Sequence, residues 1–485
     1  MSVNVIPSSV SCTPLMSSLL TTFHDRYGRP ATGIVSAPGR VNVIGEHIDY
    51  AGYAVLPMAI SKTVHIAFCC TEEEDGIDIQ HIDALSFPSG TFLSDPHIPI
   101  PTESHAWYHY VQCGYKGAWL LYTHPSTHTP KGDKKIGCGM KMLVGGTIPL
   151  AAGLSSSSAL VVASTVAALH ARNFQGTLEE LAELARSAEG YIGTMGGGMD
   201  QAISVLGESR LVHFNPVRTE RVLLPIEAVF VIAHSLTSAE KAVTASLCYN
   251  KRVVEMMLAA KVLGTLLHLS DDILSLKTFQ DVQKAYALHL NRNVSLEEMA
   301  ECAREHLKAG GYSEVELADI LPSDSWKTWF PHASVQEHEW IENVRTNAKS
   351  YALQERACHI YQEAARVHVF ATACNNSASL ETLGALMNES HTSCKDLYEC
   401  SSPELDLLTT ACRHLGAFGS RLTGAGWGGS TVSLVAADRV KEFMVRLKEK
   451  YYAKYSSEKF DEICFAAVSS PGVSVFTPTS FRTLT

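Results

Sequence analysis

Apolar positions in this chain come in short runs, broken by glycine-, serine- and proline-rich stretches, and the spacing within each run predicts its element. Residues 64–70 (VHIAFCC) and 77–82 (IDIQHI) read as short strands, followed near 87–101 by a Pro/Ser/Gly-rich loop. Residues 145–158 form a glycine- and serine-rich loop, and the apolar run 159–171 behind it predicts a helix. A second helix is predicted over 178–191, stopped by the glycine-rich stretch 193–198. Phe230, Val231, Ile232 and Ala233 read as a buried strand, placed where one domain gives way to the next. Val253, Met257, Val262 and Leu266 recur near helical spacing and predict an amphipathic helix over 252–269. Residues 270–350 mix polar helical patterns with a Pro/Trp/Ser-rich patch and read as an insertion or helical layer. Near the end come a strand (430–435), a helix (440–451, with Phe443, Met444 and Leu447 inward) and a strand (463–468). That order fits a split βαβ sandwich in an α+β chain.

Composition narrows the class of protein without reaching its chemistry. The 485 residues allow two domains, or one large domain with an insertion. A hydrophobic content of 46% with 18% charged residues describes a chain able to bury a large core. The formal net charge of -11 argues against nucleic acid or an anionic membrane as the main partner. Any anionic substrate is then met locally, by backbone N–H groups and a few cations. The start of the chain lacks a signal-peptide pattern, and the apolar run 159–171 is too short and too interrupted to span a bilayer. Thirteen cysteines, an odd number without any CxxC, point to neither zinc nor a disulfide framework. Idle thiols in a reducing cytosol account for them, so a cytoplasmic location is expected; small-molecule partners and a monomer are expected besides.

The chemistry concentrates in residues 36–57, SAPGRVNVIGEHIDYAGYAVLP, where Arg40, Glu46, His47 and Asp49 crowd a segment punctuated by Gly39, Gly45 and Gly52. Four chargeable groups this close are poor core material, since each needs a buried partner. They suit a site that grips a small polyol through directional hydrogen bonds; a solvated turn between strands is the plain alternative. A second stretch runs Gly145-Gly146-Thr147-Ile148-Pro149 and then Gly153-Leu154-Ser155-Ser156-Ser157-Ser158-Ala159-Leu160. Small residues feeding a helix N-terminus make an anion cradle suited to phosphates, without the lysine of a P-loop. A third, Gly196-Gly197-Gly198-Met199-Asp200-Gln201, presents Asp200 with little steric cover, unless Asp200 merely caps the next helix. A fourth, Ser420-Arg421-Leu422-Thr423-Gly424-Ala425-Gly426-Trp427-Gly428-Gly429, enters a strand rather than a helix, which removes a dinucleotide-binding reading.

Together these stretches resemble the galactokinases, within the GHMP family of small-molecule kinases, from about residue 36 onward, with 270–350 the weakest part. The motif EHIDYAGY is similar to the eukaryotic branch that holds N-acetylgalactosamine kinases and plant-type galactokinases. The resemblance implies a two-domain GHMP kinase fold of α+β class, with ATP and sugar bound in the cleft between domains. It divides the chain into an N-terminal domain over 1–225 and a C-terminal domain over 226–485, with a helical insertion around 270–350. The implied reaction moves the ATP γ-phosphoryl group to the C1 hydroxyl of α-galactose, with Asp200 as base and Arg40 holding it ionised. Arg40, Glu46, His47, Asp49, Gly197, Asp200 and Tyr249 are the implied sugar-binding residues. Gly153, Leu154, Ser155, Ser156, Ser157 and Ser158 would cradle the nucleotide, with Lys241 reaching it and Trp107 near the adenine, or else a core tryptophan. Ser157 and Glu189 would hold Mg²⁺, a solvated helix-face glutamate being the plain reading of Glu189. Two alternatives stay open. An N-acetylgalactosamine 1-kinase shares every motif, although Tyr249 stands where those kinases carry phenylalanine. A non-catalytic galactose-sensing regulatory protein is opposed by the intact serine loop and by Asp200.

Overall fold

Helix α1 (Pro14–Tyr27) is the first element described, started by Thr13, whose side chain accepts from the Met16 N–H, and ended by Gly28 at φ 64°. The computed structural model describes residues 12–71, 74–101, 106–121, 137–170, 176–193, 196–214, 216–237, 248–269, 273–321, 326–454 and 457–477. Next come β1 (Gly33–Ile44), β2 (Leu56–Thr71), β3 (Gly76–His81), β4 (Gly90–Leu93), α2 (Tyr108–Leu120) and β5 (Gly139–Gly146). Strand β1 reads GIVSAPGRVNVI and is buried at every position but Ser36, so both of its faces need cover. Ile34 joins Leu19 and Phe23 of α1 on one side, while Val35 and Ala37 join the main core. Strand β2 is far longer than the expectation at 64–70. The polar Ser61, Lys62 and Thr63 interrupt its apolar run, but pairing with β1 carries the backbone straight through them.

Helix α3 (Ser156–His170) begins earlier than the helix expected at 159–171, so three loop serines form its first turn. It is buried from Ser158 to Leu169 and apolar all round, as a helix enclosed by its neighbours should be. Ser164 and Thr165 are satisfied inside it by donating to the Leu160 and Val161 carbonyls. After α4 (Leu178–Glu189) and α5 (Met199–Leu206), strands β6 (Arg210–His213) and β7 (Arg218–Arg221) pair as a separate hairpin.

Strand β8 (Ala228–His234) starts the second sheet. A helical layer follows: α6 (Tyr249–Leu266), α7 (Phe279–His289), α8 (Leu296–His306), α9 (Glu314–Ile320), α10 (Trp326–Trp329), α11 (Val335–Asn347), α12 (Leu353–Asn375), α13 (Leu380–Asp396) and α14 (Pro403–His414). Then come β9 (Gly419–Thr423), β10 (Ser430–Ala436), α15 (Val440–Lys450), α16 (Ser457–Ile463), β11 (Cys464–Ala467) and β12 (Ser474–Phe476). The second sheet has the order β11-β8-β10-β9, every pair antiparallel. Strands β10 and β11, joined through α15, therefore run parallel on either side of β8, which is the split βαβ arrangement. The first sheet has the order β12-β1-β2-β5-β3-β4, so the last strand returns to pair with β1. Among the described residues no helix is long and apolar enough to cross a membrane.

Candidate active site

The register of β1 against β2 slips between Pro38 and Arg40 and again between Asn42 and Ile44. Bulges of this kind re-aim a side chain out of the regular pleat. Here the first one turns Arg40, itself almost fully buried, toward the serine loop and the start of α5. Its Nε donates to Asp200 Oδ1 at 2.6 Å and its Nη1 to the Gly153 carbonyl at 2.7 Å. One guanidinium thus ties three of the sequence motifs together.

Gly153 (φ 72°) and Gly424 (φ 86°) bring the serine loop and the fourth motif into backbone contact. A Cβ on Gly424 would stand 2.7 Å from the Gly153 carbonyl oxygen, so neither position tolerates a side chain. Ser155, Ser156 and Ser157 are half-buried at the N-terminus of α3, whose first N–H groups have no partner within the helix. The Ser155 hydroxyl is buried without a hydrogen-bond partner.

Asp200 lies one residue inside α5; the N-cap is Gly198 at φ 107°, with no side-chain cap. The capping reading of Asp200 is therefore corrected: three glycines make the turn, and the carboxylate stands in the helix's first turn beside Arg40. Gly197 touches Asp49 so closely that an added Cβ would lie 2.3 Å from the Asp49 carboxyl carbon. Glu189, at the end of α4, is buried rather than on a solvated face, which corrects the plain reading of it. It accepts from Gln201 Nε2, which also reaches the Ser158 hydroxyl at 3.4 Å, while Gln201 Oε1 has no partner. A buried carboxylate, adjacent serine hydroxyls and an unsatisfied amide oxygen form a hard-oxygen donor set, which fits Mg²⁺.

The turn after β1 supplies the other charged groups. Glu46 is buried, its Oε1 accepting from the Gly424 N–H at 2.8 Å with Arg421 Nη1 at 3.5 Å. Burial pushes its carboxyl up, and Arg421 and Arg40 counter that. His47 takes the left-handed conformation (φ 63°); its Nε2–H donates to the Ala425 carbonyl at 2.9 Å and Nδ1 meets the Tyr50 hydroxyl at 2.9 Å. Asp49 is half-buried. Tyr249 opens α6, with its ring 5.7 Å from that of His47 and 5.9 Å from that of Tyr50. Desolvation raises its phenol well above the usual range, and the Asp49 and Asp200 carboxylates raise it further.

Of the residues singled out in the sequence, Arg40, Glu46, His47, Asp49, Gly153, Glu189, Gly197, Asp200 and Tyr249 converge here. Trp107 is half-buried, packed against the edge of the main core beside Phe87 and His81, with its indole N–H donating to the Pro88 carbonyl at 2.8 Å. Lys241 lies outside the described residues. Sequence reasoning overlooked Gln201 and Arg421, although both stand inside quoted motifs. It also overlooked Tyr398, whose ring lies 4.7 Å from His47.

The site thus joins a serine loop on a buried helix to a glycine turn that leads into a split βαβ sheet, and both parts fall within known family models. The GHMP kinases N terminal domain matches residues 124–208, the GHMP kinases C terminal matches 371–453, and the galactokinase galactose-binding signature matches 21–69. A galactokinase of Dictyostelium discoideum is 37% identical over 88% of this chain and 86% of its own, and one of Saccharomyces cerevisiae 32% over 90% and 89%. The structure of Lactococcus lactis galactokinase complexed with galactose shares the fold, with TM-score 0.68 and 24% identity over 95% of this chain and 99% of that one. The chain belongs to the galactokinase family. It is an enzyme, a sugar kinase with ATP as co-substrate.

Proposed function

We propose that the protein transfers the γ-phosphoryl group of ATP to the C1 hydroxyl of α-galactose, giving galactose 1-phosphate and ADP. The observation that carries this reading is the 2.6 Å contact between Arg40 and Asp200 where the signature strand meets the serine loop. Asp200 takes the C1 proton through its second oxygen as the C1 oxygen attacks the γ-phosphorus and the bond to the bridging oxygen breaks. Arg40, anchored on the Gly153 carbonyl, keeps the carboxylate aimed and sets positive charge beside the transferring group. Asp49 and the second oxygen of Glu46 read sugar hydroxyls, His47 closes the wall behind them, and Gly197 leaves room for Asp49. A site built to hydrogen-bond a hydroxyl rejects sugars that invert it, so selectivity falls on the axial C4 hydroxyl. Release of ADP, measured with galactose, N-acetylgalactosamine and glucose in turn, tests the assignment. Galactose is expected to give the fastest turnover, and a faster rate with N-acetylgalactosamine overturns it.

The nucleotide is assigned to Gly153 through Ser158, with Trp107 near the adenine and Lys241 at the phosphates. Ser157 and Glu189 would hold Mg²⁺, which neutralises phosphate charge when bound. Glu189→Gln is expected to raise the Mg²⁺ concentration for half-maximal rate about tenfold or more, and Ser157→Ala to raise it less. A titration of rate against Mg²⁺ checks this, and an unchanged midpoint for Glu189→Gln places the ion elsewhere. Tyr249→Phe keeps the ring and removes a hydroxyl that an acetamido group at C2 has to avoid. Relative kcat/KM is expected to move toward N-acetylgalactosamine by about 1 kcal/mol, roughly fivefold, in competition between the two sugars.

Residues 1–225 and 226–485 are the two lobes of this proposal, with the cleft between them, except that β12 returns from the second to pair with β1 of the first. The proposed setting is the cytosol, in keeping with thirteen free cysteines among the described residues, and the chain is proposed to act as a monomer. The net charge of -11 supports small-molecule partners over nucleic acid or membrane.

A further inference from the structure

The turn that follows β1 holds two residues in left-handed backbone, Gly45 at φ 109° and His47 at φ 63°. A histidine in that conformation is strained, and it persists only where its surroundings fix it. One helix, α12, supplies two of the clamps from residues four apart, which lie on the same helix face. Glu363 Oε1 accepts from the Gly45 N–H at 2.9 Å, and the His359 ring meets the Glu46 carbonyl through Nε2 at 3.1 Å. A carbonyl only accepts, so Nε2 carries the proton. Burial pushes the imidazole down to about 4, so it is neutral and Nδ1 accepts from the Ser393 hydroxyl at 2.8 Å. His359 also grips the turn a second way. Its ring lies 4.4 Å from that of Tyr398, which in turn lies 4.7 Å from that of His47.

We propose that His359 is a positioning residue for the sugar: fully buried and out of reach of substrate, it sets the turn that presents Glu46, His47 and Asp49. This rests on the assignment of that turn to the sugar. His359→Leu should disturb the sugar side of the site and leave the nucleotide side alone, because the serine loop makes no contact with α12 through this ring. His359→Gln keeps an N–H for the Glu46 carbonyl.

The test is steady-state kinetics on the full chain, with sugar and ATP varied separately, beside thermal melts with and without galactose. His359→Leu is expected to raise the galactose KM about tenfold or more while the ATP KM stays within about twofold, and His359→Gln to recover most of the loss. Ser393→Ala, which removes only the Nδ1 partner, should give a smaller rise in galactose KM; it carries the test if the leucine variant does not fold. A folded leucine variant with both KM values unchanged, or both raised alike, overturns the proposal. So does a glutamine variant no better than leucine. Failure of the underlying assignment shows separately, as unmodified enzyme that prefers another sugar, and the split between sugar and ATP is then read with that sugar.

Discussion

Asp200→Asn is expected to lower kcat by about a thousandfold or more while galactose and ATP still bind with affinities within about threefold of the unmodified enzyme. Asparagine keeps the size of the side chain, and its amide oxygen still accepts from Arg40 Nε where Asp200 Oδ1 does now at 2.6 Å. What disappears is the negative charge and the ability to take a proton. The same carboxylate also sits in the first turn of α5, where its interaction with the helix dipole contributes about 1–2 kcal/mol. Losing the charge also takes the ion-pair partner from buried Arg40 and lowers stability, so turnover is read at a temperature where a melt shows the variant folded, which keeps the two effects apart. Turnover by ADP release, set beside calorimetric binding of each substrate, gives both numbers. Near-normal turnover would remove Asp200 from the chemistry and leave it a structural partner of Arg40.

The site was legible in the sequence wherever its chemistry lies inside one short motif. Arg40, Glu46, His47 and Asp49 are close in the chain, and the close approach of Gly197 to Asp49 follows from residues that only a glycine lets meet. Partners across motifs were harder to foresee. The crowding of charge at 40–49 demanded buried partners, yet the one for Glu46 is Arg421, 375 residues further on. Gln201 ends a glycine motif, but nothing local marks it as the hydrogen-bond partner of Glu189. His359 and Glu363 stand on α12 with no motif around them, and only the packing of that helix on the turn gives them meaning.

The same distinction runs through the fold. Strand β2 crosses Ser61, Lys62 and Thr63 because cross-strand pairing outweighs a local polar break. The helical layer over 270–350 was the least readable part, although its helix starts are written plainly. Thr278 with Asp281, Ser295 with Glu298, Ser313 with Glu316 and Ser334 with Glu337 are four capping boxes, each beginning a helix. Gln280 of α7 donates to the Gly52 carbonyl at 2.7 Å, so this layer also supports the far end of the signature turn.

Arg421→Met is expected to destabilise the fold by about 3–5 kcal/mol, a large share of what a folded domain has in hand. The guanidinium is fully buried and ties β1 and the turn after it to helices α12 and α13. Nε donates to the Ser390 hydroxyl and Nη1 to the Asn42 carbonyl, both at 3.0 Å, with Glu46 Oε1 at 3.5 Å and Glu363 Oε1 at 4.0 Å. Burial works against the Glu363 carboxylate, but Arg366 and Arg421 more than offset it and hold the group down to about 2. Methionine fills similar space and answers neither carboxylate. Glu363 retains Arg366, whereas Glu46 is left with Arg40 as its one remaining cation, and Arg40 is already engaged by Asp200. The cost therefore comes mainly from a stranded Glu46 charge rather than from lost packing. Urea unfolding of the full chain, followed by tryptophan fluorescence, should show a lower midpoint for Arg421→Met. Adding Glu46→Gln should recover part of the loss, because the stranded charge goes with it. A midpoint equal to that of the unmodified protein would refute the coupling, and an additive double variant would place the cost in packing instead.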